Sequence, residues 1–120
     1  MQLRQLVSLY KGFSDPTRLR ILNLLIHCSH LKVKEIANIL AIPQSTVSRQ
    51  LAQLRASTLI EDERDGTWVK YNIVNNSFIH DSQMLSTLKL AAKECPDLIT
   101  DIERLAEFVP LDSITAKRKS

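Results

Sequence analysis

Apolar and polar positions repeat with a helical period over most of the chain. Leu3, Leu6, Val7 and Tyr10 predict a first amphipathic helix over residues 3–13, with Gly12 marking its end. A stripe this short needs a partner surface to stay folded. Ser14-Asp15-Pro16-Thr17 then reads as a helix start, where Ser14 or Asp15 caps and Pro16 fits the first turn. The second helix, about Pro16 to Cys28, carries Leu19, Leu22, Leu25 and Ile26 on one side. Ile21 and Leu24 widen that arc, so this helix is expected to be central. Arg18 and Arg20 lie near its start and read as surface charges, with phosphate contact as the other reading.

Val33, Ile36, Ala37 and Leu40 form the stripe of a third helix, and Ile42-Pro43 breaks it. The fourth helix has Val47, Leu51 and Leu54 at spacings of four and three. At about 100° per residue, Ser45, Arg49 and Ala52 fall opposite this stripe, with Ser48 and Gln53 flanking. Hydrogen-bonding groups, one long cation and small residues on a single face suit a helix that enters a DNA groove. The pair, about residues 33–56, therefore reads as a helix-turn-helix. From Ile60 the texture changes. Asp65-Gly66 is a hairpin signal, and Thr67 to Ile73 is rich in strand formers, which predicts a wing over about residues 60–73. A lone hairpin is marginal in water and must pack on the helices. Trp68 reads as a packing residue.

The helical period returns from Ile79. Met84, Leu85, Leu88, Ala91, Ala92 and Cys95 share one face; after Pro96 come Leu98, Ile99, Ile102, Leu105, Ala106 and Val109. These residues carry more apolar surface than one compact winged helix covers. Segments 3–13 and 79–109 are therefore expected to pair two copies of the chain. Residues 111–120 read as a flexible basic tail.

Composition agrees with a mainly α domain over residues 1–110: 44% hydrophobic, 5% aromatic, 2 Gly and 4 Pro in 120 residues. The net charge of +3 is unevenly placed. Residues 1–75 hold ten Lys/Arg against six Asp/Glu, whereas residues 76–120 hold six against seven. The basic excess lies with the helix-turn-helix, as a nucleic-acid surface requires. Two cysteines far apart in sequence suggest no disulfide framework, and no apolar run suits a signal peptide or a membrane span, so a cytoplasmic protein is expected. No nucleophile–base pair, phosphate-binding glycine loop or metal motif supports an enzyme, and no cofactor is expected.

Three blocks occur in order: SDPTRLRIL from Ser14, PQSTVSRQL from Pro43 and GTWVKY from Gly66. Together they resemble the ArsR/SmtB family of winged helix-turn-helix repressors. The resemblance implies a homodimer on double-stranded DNA, at an inverted-repeat operator, released by an effector. Matched to that family's recognition helix, Gln44, Ser45, Ser48 and Arg49 are expected to face base edges, with Arg49 suited to guanine and Gln44 to adenine; Thr46 and Gln53 complete the expected DNA-binding set. Arg64 and Lys70 are the expected wing contacts.

The same resemblance frames what is sensed. Where the family's arsenic- and cadmium-type members carry thiols at the start of the third helix, this chain has Lys32 and Lys34, which cannot replace soft thiolates. The positions matching the zinc-type site are Phe78, His80, Ala91 and Glu94, so His80 and Glu94 remain as a weak remnant short of a full ligand set. Cys95 and Cys28 are candidate thiol sensors, although both lie in or beside apolar stripes, where cysteine is commonly inert packing. The alternative to DNA binding is a winged-helix protein-interaction module. That role calls for exposed apolar or acidic residues where Ser45, Ser48 and Arg49 stand.

Overall fold

The computed structural model describes residues 1–74 and 83–110. The tail 111–120 and the His80 and Phe78 positions lie outside the described residues. The elements run α1 (Leu3–Gly12), α2 (Pro16–His27), β1 (Leu31–Lys32), α3 (Val33–Leu40), α4 (Gln44–Ala56), β2 (Ile60–Asp65), β3 (Trp68–Ile73), α5 (Gln83–Ala92) and α6 (Pro96–Phe108). This is the mainly helical winged helix-turn-helix that the periodicity predicts.

Helix α2 is the centre. Ile21, Leu22 and Leu24 are fully buried, against Ile36 and Ile39 of α3 and Val47, Leu51 and Leu54 of α4. Of the two candidate caps, Asp15 does the work: its carboxylate accepts the Arg18 amide at 3.1 Å, with Pro16 in the first turn. Gly12, the last residue of α1, is needed for packing, because a Cβ there would collide with the Leu59 side chain.

The hairpin does not stand alone. Leu31 and Lys32 pair antiparallel with Tyr71 and Lys70, so the wing is a three-stranded sheet in the order β1-β3-β2. Two residues are too few for a period-two signal, and the pattern around Leu31 belongs equally to the start of α3. Gly66 opens the β2–β3 turn at φ +64, where a side chain would be strained.

Three expectations are corrected. Trp68 is not core packing but 54% exposed on the wing, with the Lys32 ammonium 4.7 Å from its ring centre. Arg18 and Arg20 are not free surface charges. Arg18 donates to the Lys11 carbonyl at 2.7 Å and to the Gln50 side chain at 2.9 Å, while Arg20 holds Asp101. Finally, the C-terminal apolar surface is divided. Helix α6 packs on α2 and α3 of its own chain through Leu98 and Leu105, so most of its stripe is spent internally. Among the described residues, the large apolar side chains left open on the helices are Leu3, Leu6, Val7 and Tyr10 on α1, Leu90 on α5, and Ile99 and Phe108 on α6.

Candidate nucleic-acid interface

The turn between α3 and α4 sets the geometry. Ala41 adopts the left-handed conformation at φ +57, and the amides of Ala41 and Ile42 both donate to the Ala37 carbonyl. Pro43 then enters α4 in extended conformation, and its carbonyl accepts the Thr46 and Val47 amides. It brings no side-chain cap, so the positive end of α4 stays open.

Burial of Val47, Leu51 and Leu54 fixes the rotation of α4 about its axis. Ser45, Ser48, Arg49, Ala52 and Gln53 are thereby exposed together, as the angular spacing predicts, with Gln44 exposed at the leading end, while Thr46 is half-buried at the edge. No apolar side chain larger than alanine and no acid lies on that face, so it lacks the character an interaction module calls for. Gln50 is drawn back to Arg18, and the guanidinium of Arg55 meets Asp62 of β2 at 3.2 Å.

In the wing, the strand register separates the two predicted contacts. Arg64 pairs with Val69, and Lys70 with Glu63, so the alternation of a strand points Arg64 and Lys70 to opposite faces. Arg64 is exposed and, among the described residues, makes no ion pair. Lys70 is committed to Asp65 at 2.9 Å, which raises the lysine pKa through the hydrogen bond and then the charge, and lowers that of Asp65 for the same reasons. Lys70 is thus a partly neutralised cation rather than the open contact expected of it. The other acids of β2 are matched too: Glu63 faces His30 at 3.4 Å, and Glu61 accepts from the Asn72 amide at 3.1 Å.

The sensing candidates are dispersed. Cys28 is buried at the end of α2, its thiol 3.7 Å from the Ser29 carbonyl, whereas Cys95 is half-buried at the N-cap of α6. The two are not joined by a disulfide. Glu94 is exposed in the α5–α6 turn. Among the described residues no three His, Cys, Asp or Glu side chains converge on a metal-sized site. Lys32 forms the N-cap of α3, its amide donating to the Glu35 carboxylate at 2.8 Å, and Lys34 is exposed.

The sequence did not disclose the long-range side-chain contacts around the helix-turn-helix: Arg18 with Gln50 of α4, Arg20 with Asp101, and Arg104 with the end of α3. One signal was available. Asp101 lies between Leu98 and Leu105 on the apolar stripe of α6, and an acid there requires a buried partner.

Known proteins share this arrangement. The profile of the bacterial regulatory proteins of the arsR family matches residues 15–62, from the cap of α2 into the wing. An uncharacterized HTH-type transcriptional regulator of Methanocaldococcus jannaschii is 38% identical over 68 residues, which cover 57% of this chain and 76% of that protein. The transcriptional repressor PagR of Bacillus anthracis is 39% identical over 75 residues, covering 62% and 75%. The PagR crystal structure superposes with a TM-score of 0.59 at 34% identity, covering 74% of this chain and 94% of that one. The homodimeric winged helix-turn-helix DNA-binding domain of a possible ArsR-family regulator of Mycobacterium bovis gives a TM-score of 0.64 at 27% identity, covering 77% and 82%. The chain belongs to the arsR family of bacterial regulatory proteins, a family of transcription factors. No helix among the described residues is long and apolar enough to cross a membrane.

Proposed function

We propose that this chain is a transcriptional repressor that binds an inverted-repeat operator as a homodimer. The observation that carries the reading is the exposed face of α4. Gln44, Ser45, Ser48, Arg49 and Gln53 stand together above a fully buried Val47, Leu51 and Leu54. Such a face offers bidentate donors and acceptors to base edges, with hydroxyls for phosphates. Arg64 extends it from the wing. A second copy is supported by the open apolar side chains of α1 and Leu90 of α5, and by the homodimeric state of the M. bovis relative. Two-fold pairing would set two α4 helices about one helical turn of DNA apart, which is what an inverted repeat presents.

Release by an effector belongs to the same proposal. Cys95 is the thiol more open to a reagent, and Cys28 is enclosed. The experiment is selection of duplexes from a random pool, followed by footprinting and a mass measurement in solution. A two-fold-symmetric site bound by a dimer, with affinity falling steeply as salt rises, is the expected result. A monomer that selects no sequence would refute the proposal.

A further inference from the structure

The last carbonyls of an α-helix have no partner within the helix. In α3 the turn satisfies one of them twice: the amides of Ala41 and Ile42 both go to Ala37. Among the described residues, that leaves the carbonyls of Asn38, Ile39 and Leu40 without backbone donors at the point where the chain turns into α4. All three are taken by guanidinium groups. Arg104 of α6 donates from Nε to the Ile39 carbonyl at 2.6 Å and from Nη2 to the Asn38 carbonyl at 2.9 Å. Arg20 donates from Nη2 to the Leu40 carbonyl at 3.2 Å, and Nε and the same Nη2 donate to the carboxylate of Asp101, also on α6. Two cations at the negative end of a helix also complement its dipole.

Helix α6 lies outside the residues that match the family profile. We propose that Arg104 is a positioning residue for DNA reading: from α6 it fixes the end of α3 and thereby the angle at which α4 leaves the turn. The proposal rests on the reading of α4 as the DNA-contacting helix. Among the described residues, the hydrogen bonds of Arg104 go to the Ile39 and Asn38 carbonyls and none goes to the reading face. Its effect is on where Gln44, Ser45, Ser48 and Arg49 stand relative to the rest of the domain. A planar fork serves here because its donors reach two successive carbonyls at once, which a point charge does not.

The test compares the full chain with Arg104→Met, which keeps the stem and removes the donors. Affinity is measured for a duplex selected by the wild-type chain and for random-sequence duplex, at a temperature where circular dichroism shows both proteins folded. The expected result is a loss of roughly tenfold in the selected-to-random ratio, the discrimination of about one base contact. The salt dependence on random duplex stays unchanged, because no phosphate contact is removed. Amide exchange in the free protein should quicken at Ala41, Ile42, Thr46 and Val47 and not in β2 or β3. Phe108→Leu, which removes the ring lying 5.4 Å from the Arg104 guanidinium, should keep the wild-type ratio. If Arg104→Met does not fold, Arg104→Lys takes its place and the same ratio decides. A wild-type ratio with unchanged exchange at the turn would overturn the positioning role while leaving the proposed function standing. A wild-type chain that selects no sequence would overturn both.

Discussion

Arg20 and Asp101 meet side-on, 81 residues apart in the chain: Nε lies 2.8 Å from one carboxylate oxygen and Nη2 2.9 Å from the other. The Asp101 side chain is 2% exposed and that of Arg20 29%. The hydrogen bond from Arg20 to Asp101 is the main reason the guanidinium holds its proton more tightly than usual, against the opposing cost of burial. Removing Arg20 leaves the buried Asp101 carboxylate without its counter-charge. Arg20→Met should therefore cost on the order of 3 kcal/mol in a urea titration, and Asp101→Ala less, because Arg20 keeps partial access to water. Replacing both, as Arg20→Met with Asp101→Leu, should recover much of that loss. A double variant as unstable as the sum of the two singles would mean that the pair is not coupled.

Arg49 stands on the exposed face of α4 and, among the described residues, makes no ion pair or side-chain hydrogen bond. Arg49→Ala should leave the thermal midpoint nearly unchanged. It should cost about 1–3 kcal/mol in binding to a selected duplex, with relaxed choice at one position of each half-site. Competition between the selected duplex and variants at every position would locate that base pair. Equal losses on selected and random duplex would instead make Arg49 a phosphate contact.

The wing is asymmetric in a way that salt titration should reveal. Arg64→Ala should reduce the salt slope of DNA binding by about one, whereas Lys70→Ala should reduce it less because Asp65 already holds that ammonium. The order of the two slopes is the measurement; the reverse order would reassign the contacts.

The same pair makes a pH prediction. Lys70 lowers the pKa of Asp65 first by its hydrogen bond and then by its charge. The stability contributed by Asp65 is therefore fully present above the ordinary aspartate value and is lost as pH falls through the lowered one. Lys70 contributes the opposite limb: its raised pKa gives stability that is present below the ordinary lysine value and lost as pH rises through the raised one. In a carbon-detected NMR titration the Asp65 midpoint should move up to the ordinary carboxylate range in Lys70→Met. An unmoved midpoint would disprove the assignment.

Trp68 is the only tryptophan, and it is 54% exposed on β3. Its fluorescence should have the red-shifted maximum of a solvated indole and be readily quenched by acrylamide. Since Lys32 lies over the ring, Lys32→Ala should increase quenching further. A blue-shifted, protected emission would place this residue in an interface between copies.

The sequence by itself determined the helices, the hairpin and the face of the reading helix. Val47, Leu51 and Leu54 have one common side, and burying it leaves Ser45, Ser48, Arg49 and Gln53 outside whatever the details of packing. Asp65-Gly66 similarly announced the hairpin, and the three motif blocks announced the family, since local spacing and turn chemistry are written in neighbouring residues. What only the tertiary structure decided are relations across long separations. The strand Leu31–Lys32 exists because Lys70 and Tyr71 lie beside it, Trp68 is exposed because it lies on the wing sheet under Lys32, and Lys70 is spent on Asp65 across the hairpin. Likewise α6, legible as one apolar stripe for a second copy, turns most of it onto α2 and α3 because Asp101 and Arg104 find Arg20 and the open carbonyls of α3 there. Periodicity states which side of a helix is buried; it does not state against what, because that depends on pairing between residues whose separation in the chain carries no local signal.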